Sequence, residues 1–123
     1  MTEPTIPPQL AAALAARDYV ELTPVQAAVL APTAAGRDLL VSAQTGSGKT
    51  VAYGLALAAT LLGERDRLGP AGEPLALIVA PTRELALQVQ RELFWLYAET
   101  GARIVACVGG MDARREQRAL AAG

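Results

Sequence analysis

Short apolar runs alternate along the chain with longer segments that have helical spacing of apolar residues. The apolar runs are 39–42, 75–80 and 103–108. Short runs without polar alternation are typical of parallel strands covered on both faces of a sheet. Helices are predicted for 7–17, 24–31, 49–62, 82–100 and 112–122. This order predicts an α/β fold with a doubly wound parallel sheet, truncated after about three strands.

The helix-forming segments carry start and stop signals. In 7–17, one face holds Leu10, Ala13 and Leu14. Thr23 is the expected N-cap of the next helix, with Pro24 in its first turn, and Pro32 ends it near Ala31.

The helix predicted for 82–100 has an apolar stripe of four residues at helical spacing: Leu85, Val89, Leu93 and Leu96. We expect this stripe to be core, and Phe94 and Trp95 to be core and partial core. The last helix is expected to be capped by Asp112.

Composition excludes several kinds of site. The formal net charge is −1, so no overall positive field favours a polyanionic partner. The chain has no histidine and one cysteine, Cys107, which excludes histidine catalysis, a cysteine metal cluster and an internal disulfide. No basic n-region or apolar segment of membrane-spanning length is present, so we expect a soluble cytoplasmic protein with no membrane partner.

The segment 43–50, Ala-Gln-Thr-Gly-Ser-Gly-Lys-Thr, lies between the first predicted strand and a long predicted helix. Strand, glycine-containing turn and helix are the context of a phosphate-binding loop. The backbone of Thr45, Gly46, Ser47 and Gly48 is expected to cradle phosphates. Lys49, the only lysine, would neutralise the β- and γ-phosphates, and Thr50 would supply a hydroxyl to Mg²⁺. A Gly/Ser turn without a ligand is the alternative.

Three further patches are candidate contacts. The Gln26 amide can match the paired donor and acceptor of adenine, or it can be an ordinary surface glutamine. Pro81, Thr82 and Arg83 follow a predicted strand, where free N–H groups, a hydroxyl and a guanidinium suit a phosphodiester, although simple helix capping by Thr82 explains the same residues. Gly109 and Gly110 permit close backbone approach or form a plain turn. The arginines of the last helix, Arg114, Arg115 and Arg118, are interpreted as a solvated face paired to Glu116.

The order of these patches resembles the first RecA-like domain of DEAD-box ATP-dependent RNA helicases. They match the Q motif, the phosphate loop of motif I, motif Ia in Pro-Thr-Arg-Glu-Leu-Ala, and the GG motif. The resemblance implies a RecA-like P-loop fold, with 1–36 as a helical Q-motif region and 37–123 as the α/β core. It implies that Gln26 recognises adenine, that Lys49 and Thr50 are catalytic, and that ATP and Mg²⁺ are cofactors. Pro81 to Arg83 and the Gly109–Gly110 pair would contact the sugar–phosphate backbone of single-stranded RNA.

Some family features are missing. No aromatic residue precedes Tyr19 to stack on adenine, and Asp18-Tyr19 replaces the family's Gly-aromatic pair. The Asp-Glu-Ala-Asp motif, the Ser-Ala-Thr motif and the second RecA-like domain are absent. We therefore expect a piece of an enzyme that binds ATP and RNA but does not hydrolyse ATP alone. Two alternatives stay open: a free-standing nucleotide-binding regulatory module, and another P-loop enzyme such as a small kinase.

Overall fold

The computed structural model describes residues 6–19, 21–34, 36–44, 48–62, 68–69, 74–108 and 113–122. Within these ranges the chain forms five α-helices and one short 3₁₀-helix over Pro32–Ala34. The helices are α1 (Pro8–Ala16), α2 (Pro24–Leu30), α3 (Lys49–Leu62), α4 (Arg83–Leu96) and α5 (Ala113–Ala122). In the described ranges, no helix is long and apolar enough to cross a membrane.

The core lies between α1, α3 and α4, and α2 packs against α3. Leu10 and Leu14 of α1 are buried, as their common helical face predicts. They pack with a set of side chains from α3 and from the end of α4: Val51, Leu55, Ala58, Leu62, Leu93, Leu96 and Tyr97. Burial of each leucine or valine side chain in this cluster contributes about 1.5–3 kcal/mol to folding, so the cluster is the main source of stability in the described part.

The close packing of α3 on α4 depends on Gly54. A Cβ at this position would lie 2.8 Å from Leu96 Cδ2 and 2.9 Å from Leu93 Cδ2. The Tyr97 hydroxyl donates a hydrogen bond to the Gly54 carbonyl across the same interface. The missing side chain therefore lets the two helix backbones approach.

The helix after the second apolar run is shorter than the predicted 82–100. It ends at Leu96 with Tyr97 as C-cap, and Gly101 takes a positive φ of 78°. The buried Thr100 hydroxyl donates to the Tyr97 carbonyl (2.7 Å) and accepts from the Ala102 N–H (3.2 Å). These local hydrogen bonds take the place of helical ones and turn the chain early.

The prediction that Phe94 is core is wrong, because its side chain is 68% exposed. Leu93, Leu96 and Tyr97 share the face that packs on α3, and Phe94 lies 100° around the helix from Leu93. Leu85, at the start of the predicted stripe, is also exposed, whereas Trp95 is half-buried as expected.

The three segments predicted to be strands are neither helix nor strand in the structure, and no strand is present within the described ranges. The run 75–80 was expected to be covered on both faces, but Leu77 is 87% and Val79 is 84% exposed. Leu40 in the first run is fully exposed. The doubly wound sheet therefore stays a prediction.

The turn after α1 contains Asp18, the residue that replaces the glycine of the family's Gly-aromatic pair. The Asp18 N–H donates to the Ala15 carbonyl and the Tyr19 N–H to the Leu14 carbonyl, which is the Schellman arrangement of a helix C-terminus. Asp18 has a φ of 60°, a left-handed conformation that glycine adopts more readily.

Asp18→Gly should therefore raise the free energy of unfolding by about 0.5 kcal/mol, since relief of backbone strain exceeds the added entropy of the unfolded chain. Ala16→Gly, two residues earlier in helical conformation, should lower it by about 1 kcal/mol. Urea unfolding followed by circular dichroism measures both variants. Equal losses in the two variants would contradict this account of Asp18.

Burial raises the pKa of Tyr97 to about 12. The folded state thus keeps the phenolic proton at pH values where the unfolded chain loses it. Stability from this group is complete below pH 10 and declines as pH rises towards 12, by about 2 kcal/mol. Thermal melts between pH 9 and 12 should show this decline, and the Tyr97→Phe variant should show a flatter profile. A wild-type melting temperature that is constant over this interval would refute the prediction.

Candidate functional site

The N-terminus of α3 carries the predicted phosphate-binding side chains. Lys49 and Thr50 are its first two residues, as the sequence predicts. Gly48 precedes them with a positive φ of 85°. Thr45, Gly46 and Ser47 lie outside the described residues. The first N–H groups of a 14-residue helix have no intrahelical acceptor, and the helix dipole adds positive potential there, so this end suits an anion.

The Lys49 side chain reaches back across the loop. Its Nζ donates a hydrogen bond of 2.7 Å to the Ala43 carbonyl, at the start of the predicted phosphate loop. Lys49 is exposed, so its ammonium group is accessible from solvent. The hydrogen bond joins the first and seventh residues of the segment 43–50 and holds the ammonium group beside the Ala43 carbonyl.

Gln26 is fully buried and is therefore not the surface glutamine of the alternative interpretation. Its Oε1 accepts from the Thr23 N–H (3.0 Å), and Thr23 Oγ1 accepts from the Gln26 N–H (3.4 Å). Together these bonds form a capping box at the start of α2. The expected N-cap Thr23 is thus confirmed, and the glutamine side chain is part of the same cap.

Gln26 also connects α2 to the phosphate loop. Its Nε2 donates to the Gly48 carbonyl at 3.3 Å. A Cβ on Gly48 would collide with this Nε2 and lie 3.4 Å from Thr23 Oγ1. The Gln26 amide thus leaves no room for a side chain at residue 48. The residue directly before α3 is therefore a glycine, whose backbone no side chain covers.

The hydrogen bonds of Gln26 leave its amide one N–H and one oxygen lone pair. Both would be needed to match adenine. Because the side chain has no exposed surface, a base reaches it only after the covering groups move. Adenine recognition by Gln26 stays a prediction.

Tyr53 is a neighbour of Thr50 that the sequence patterns did not single out. Its ring packs against the core. Burial raises the pKa of Tyr53; the Thr50 hydroxyl lowers it and the Glu92 carboxylate raises it. The signal in the sequence was the spacing of three residues on one helix, which places the two side chains on one face.

The residues predicted to contact RNA are described in part. Thr82 is the N-cap of α4, where its Oγ1 accepts from the Leu85 N–H at 3.2 Å. Pro81, Thr82 and Arg83 are all exposed, so capping leaves this surface accessible. Gly109 and Gly110 lie outside the described residues, as does Asp112.

Glu116 forms a hydrogen bond that the sequence did not predict, and its pairing with the arginines of α5 stays a prediction. Its Oε1 accepts from the Val108 N–H at 3.1 Å, at the end of the third apolar run. This carboxylate therefore joins α5 to the preceding segment. Among the described residues, no three Asp, Glu, Cys or His side chains cluster as metal ligands.

The residues present fit a magnesium–nucleotide ligand. Gly48 and the start of α3 provide backbone N–H groups, Lys49 provides an exposed cation, and Thr50 provides a neutral hydroxyl. Mg²⁺ usually takes one or two protein ligands and otherwise binds phosphate oxygens and water, so a single hydroxyl is an adequate protein contribution.

Comparisons with known proteins agree with this geometry. A sequence profile of the DEAD/DEAH box helicase family matches residues 23–123. DEAD-box ATP-dependent RNA helicase 53 of Oryza sativa subsp. japonica is 40% identical over 94% of this chain and 19% of that protein. ATP-dependent RNA helicase RhlB of Aliivibrio salmonicida is 38% identical over 94% of this chain and 27% of that protein.

A solved structure is also similar. The RNA helicase Prp28 from Chaetomium thermophilum bound to ADP aligns with a TM-score of 0.82 and 35% identity, over 100% of this chain and 30% of that one. The chain thus spans less than a third of the length of these relatives. Its fold is similar to part of a RecA-like helicase structure, whereas the parallel sheet stays a prediction. The family profile and the sequence matches, which agree with the phosphate-loop residues and the capped glutamine, show that the chain belongs to the DEAD/DEAH box helicase family.

Proposed function

We propose that this chain is the N-terminal part of the first RecA-like domain of a DEAD-box ATP-dependent RNA helicase. The whole protein would couple ATP binding to the clamping and opening of short RNA duplexes, and ATP hydrolysis to RNA release. The observation that carries this proposal is the hydrogen bond between Gln26 and Gly48, because it joins the predicted adenine-reading residue to the phosphate loop. The cytoplasmic location remains a prediction.

In this proposal each residue of the phosphate site has a separate task. Lys49 neutralises the β- and γ-phosphates, the backbone of 45–48 donates hydrogen bonds to them, and Thr50 contributes its hydroxyl to Mg²⁺. The charge that Mg²⁺ would supply there, when bound, would offset the negative charge of the phosphates. A phosphate cradle without a residue that positions water gives binding and little rate enhancement, so this stretch of chain alone should not turn over ATP.

The RNA contact is proposed at the start of α4. The exposed Thr82 and Arg83 would contact one strand through its phosphates, with Gly109 and Gly110 allowing close backbone approach. These contacts are to sugar and phosphate, so we expect binding without sequence preference and with strong salt dependence.

The sheet belongs to the same proposal. The runs 39–42, 75–80 and 103–108 would be its first parallel strands, with the ligand groups beyond their carboxyl ends. The phosphate loop follows the first run and Pro81 follows the second, which supports one shared edge.

Equilibrium titration of the 123-residue chain with ATP, GTP and a single-stranded RNA tests the proposed function. We expect ATP to bind about tenfold more tightly than GTP, RNA to bind more weakly than ATP, and no RNA-stimulated multiple-turnover hydrolysis. Equal affinity for ATP and GTP would remove the role proposed for Gln26. Tight ATP binding without any RNA binding would favour a free-standing regulatory module instead.

A further inference from the structure

Side chains of α4 and α5 hold the third apolar run, 103–108, near both of its ends. Gln90 Nε2 of α4 donates a hydrogen bond of 3.0 Å to the Ile104 carbonyl. At the other end, the Val108 N–H donates to Glu116 Oε1 of α5 at 3.1 Å. Gln90 and Glu116 are both half-buried, which limits competition from water. Because no strand is present within the described ranges, these side-chain bonds fix the backbone of the run where a sheet ladder otherwise would.

The run leads back along α4 towards the N-terminus of that helix. Its beginning is attached to the end of α4, because the Thr100 hydroxyl donates to the carbonyl of the C-cap Tyr97 and accepts from the Ala102 N–H. Ile104, further along the run, is attached to Gln90, which lies about two turns before Tyr97. The chain therefore passes along α4 in the direction opposite to the helix.

This direction leads the run towards the residues proposed to contact RNA. From Gln90 to the N-cap Thr82, α4 rises about 12 Å. From Ile104 to Val108, an extended chain covers about 13 Å, which is sufficient to reach the level of Thr82. Val108 directly precedes the predicted Gly109–Gly110 contact. The two bonds thus act on the segment that separates the two proposed RNA contacts.

We propose that Gln90 and Glu116 are positioning residues for RNA: they fix the third run between α4 and α5, and so set the spacing between the start of α4 and the chain that follows Val108. Phosphate contacts to one strand form together only when their spacing matches the strand. The inference rests on the proposed function, since it concerns the RNA contacts of that proposal. Neither side chain has to touch RNA, and the Glu116 carboxylate would repel it.

Glu116 permits a test in which charge and position have opposite effects. Removal of a negative charge should strengthen RNA binding, whereas removal of the acceptor for the Val108 N–H should weaken it. Glu116→Gln keeps an oxygen acceptor and Glu116→Leu does not, although both remove the same charge. We expect Glu116→Leu to bind RNA about three- to tenfold more weakly than Glu116→Gln, as for one lost hydrogen bond.

Gln90→Met tests the other bond, since methionine has a similar length and no donor. RNA affinity of the 123-residue chain is measured by fluorescence anisotropy with a labelled oligouridine, and ATP affinity by calorimetry. Gln90→Met should lower RNA affinity about three- to tenfold and leave ATP affinity within about twofold of wild type. Gln117→Met is the matched control, because Gln117 is an exposed glutamine of α5, and it should bind both ligands as wild type does.

The inference is overturned if Gln90→Met binds RNA as tightly as wild type, or if Glu116→Leu and Glu116→Gln bind RNA equally. It is also overturned if Gln90→Met or Glu116→Leu loses ATP affinity to the same extent or fails to fold, because the bond would then support the chain as a whole. A wild-type chain that binds ATP but no RNA rejects the inference together with the proposed RNA contact. Absence of ATP binding by wild type rejects the proposed function itself.

Discussion

Gly54→Val is expected to lower the free energy of unfolding by about 3 kcal/mol. The new Cβ alone would lie 2.8 Å from Leu96 and 2.9 Å from Leu93, two side chains that are 0% and 5% exposed. Because both leucines are buried in the core cluster, we expect α3 and α4 to separate. Separation also weakens the hydrogen bond from the Tyr97 hydroxyl to the Gly54 carbonyl. Chemical unfolding followed by circular dichroism gives the value directly.

Ala59→Val is the matched control for Gly54→Val. Ala59 is an exposed residue of the same helix, so valine there adds only the helix-propensity penalty of about 0.5 kcal/mol. Gly54→Ala should fall between the two, because the gain in helix propensity partly offsets the close contact. A Gly54→Val protein as stable as Ala59→Val would show that α3 and α4 are not packed as described.

Gly48→Ala is expected to affect both stability and nucleotide binding. A methyl group at this residue meets the buried Gln26 amide, and the backbone has a positive φ of 85°. To remove the collision, Gln26 must give up its bond to the Gly48 carbonyl and disturb the capping box at Thr23. We expect a loss of about 2–4 kcal/mol in unfolding free energy and at least about tenfold in ATP affinity.

Gly36→Ala is the matched control for Gly48→Ala, because it introduces the backbone strain of a positive φ without a collision with a neighbouring side chain. Gly36 has a φ of 70°, close to that of Gly48, but a Cβ there would have no atom within 4 Å. Gly36→Ala should therefore cost about 1 kcal/mol and leave ATP affinity unchanged. Similar losses of stability in both variants would mean that the contact with Gln26 has no energetic weight.

Local signals in the sequence were sufficient for most helices. Helix α3 begins at Lys49 and ends at Leu62, as predicted from its apolar composition and the glycine loop before it. The Thr23-Pro24 pair predicted the start of α2, and Pro32 its end. Such signals act within one or two turns of the backbone, so they can be recognised without knowledge of the tertiary packing.

Features set by tertiary contacts were harder to predict. The sequence does not show that Gln26 is buried, because its partner Gly48 is 22 residues away. The early end of α4 depends on Thr100 and on the Tyr97–Gly54 contact, which helical spacing does not report. Phe94 is hydrophobic but lies off the face that packs on α3, so composition alone assigned it to the core incorrectly. The phosphate loop and the start of α4 are far apart in the sequence, and the prediction that they form one ATP- and RNA-binding edge stays a prediction.

The most direct test of the central claim, that α3 and its preceding loop bind a nucleotide, compares ATP affinity in wild type, Lys49→Ala and Arg37→Ala. Lys49 donates a hydrogen bond to the Ala43 carbonyl at the start of the predicted phosphate loop, whereas Arg37 is an exposed cation before the first apolar run. We expect ATP to bind wild type, with affinity at least about tenfold lower in Lys49→Ala and within about twofold of wild type in Arg37→Ala. Absence of ATP binding by wild type, or equal affinity in wild type and Lys49→Ala, would contradict the claim.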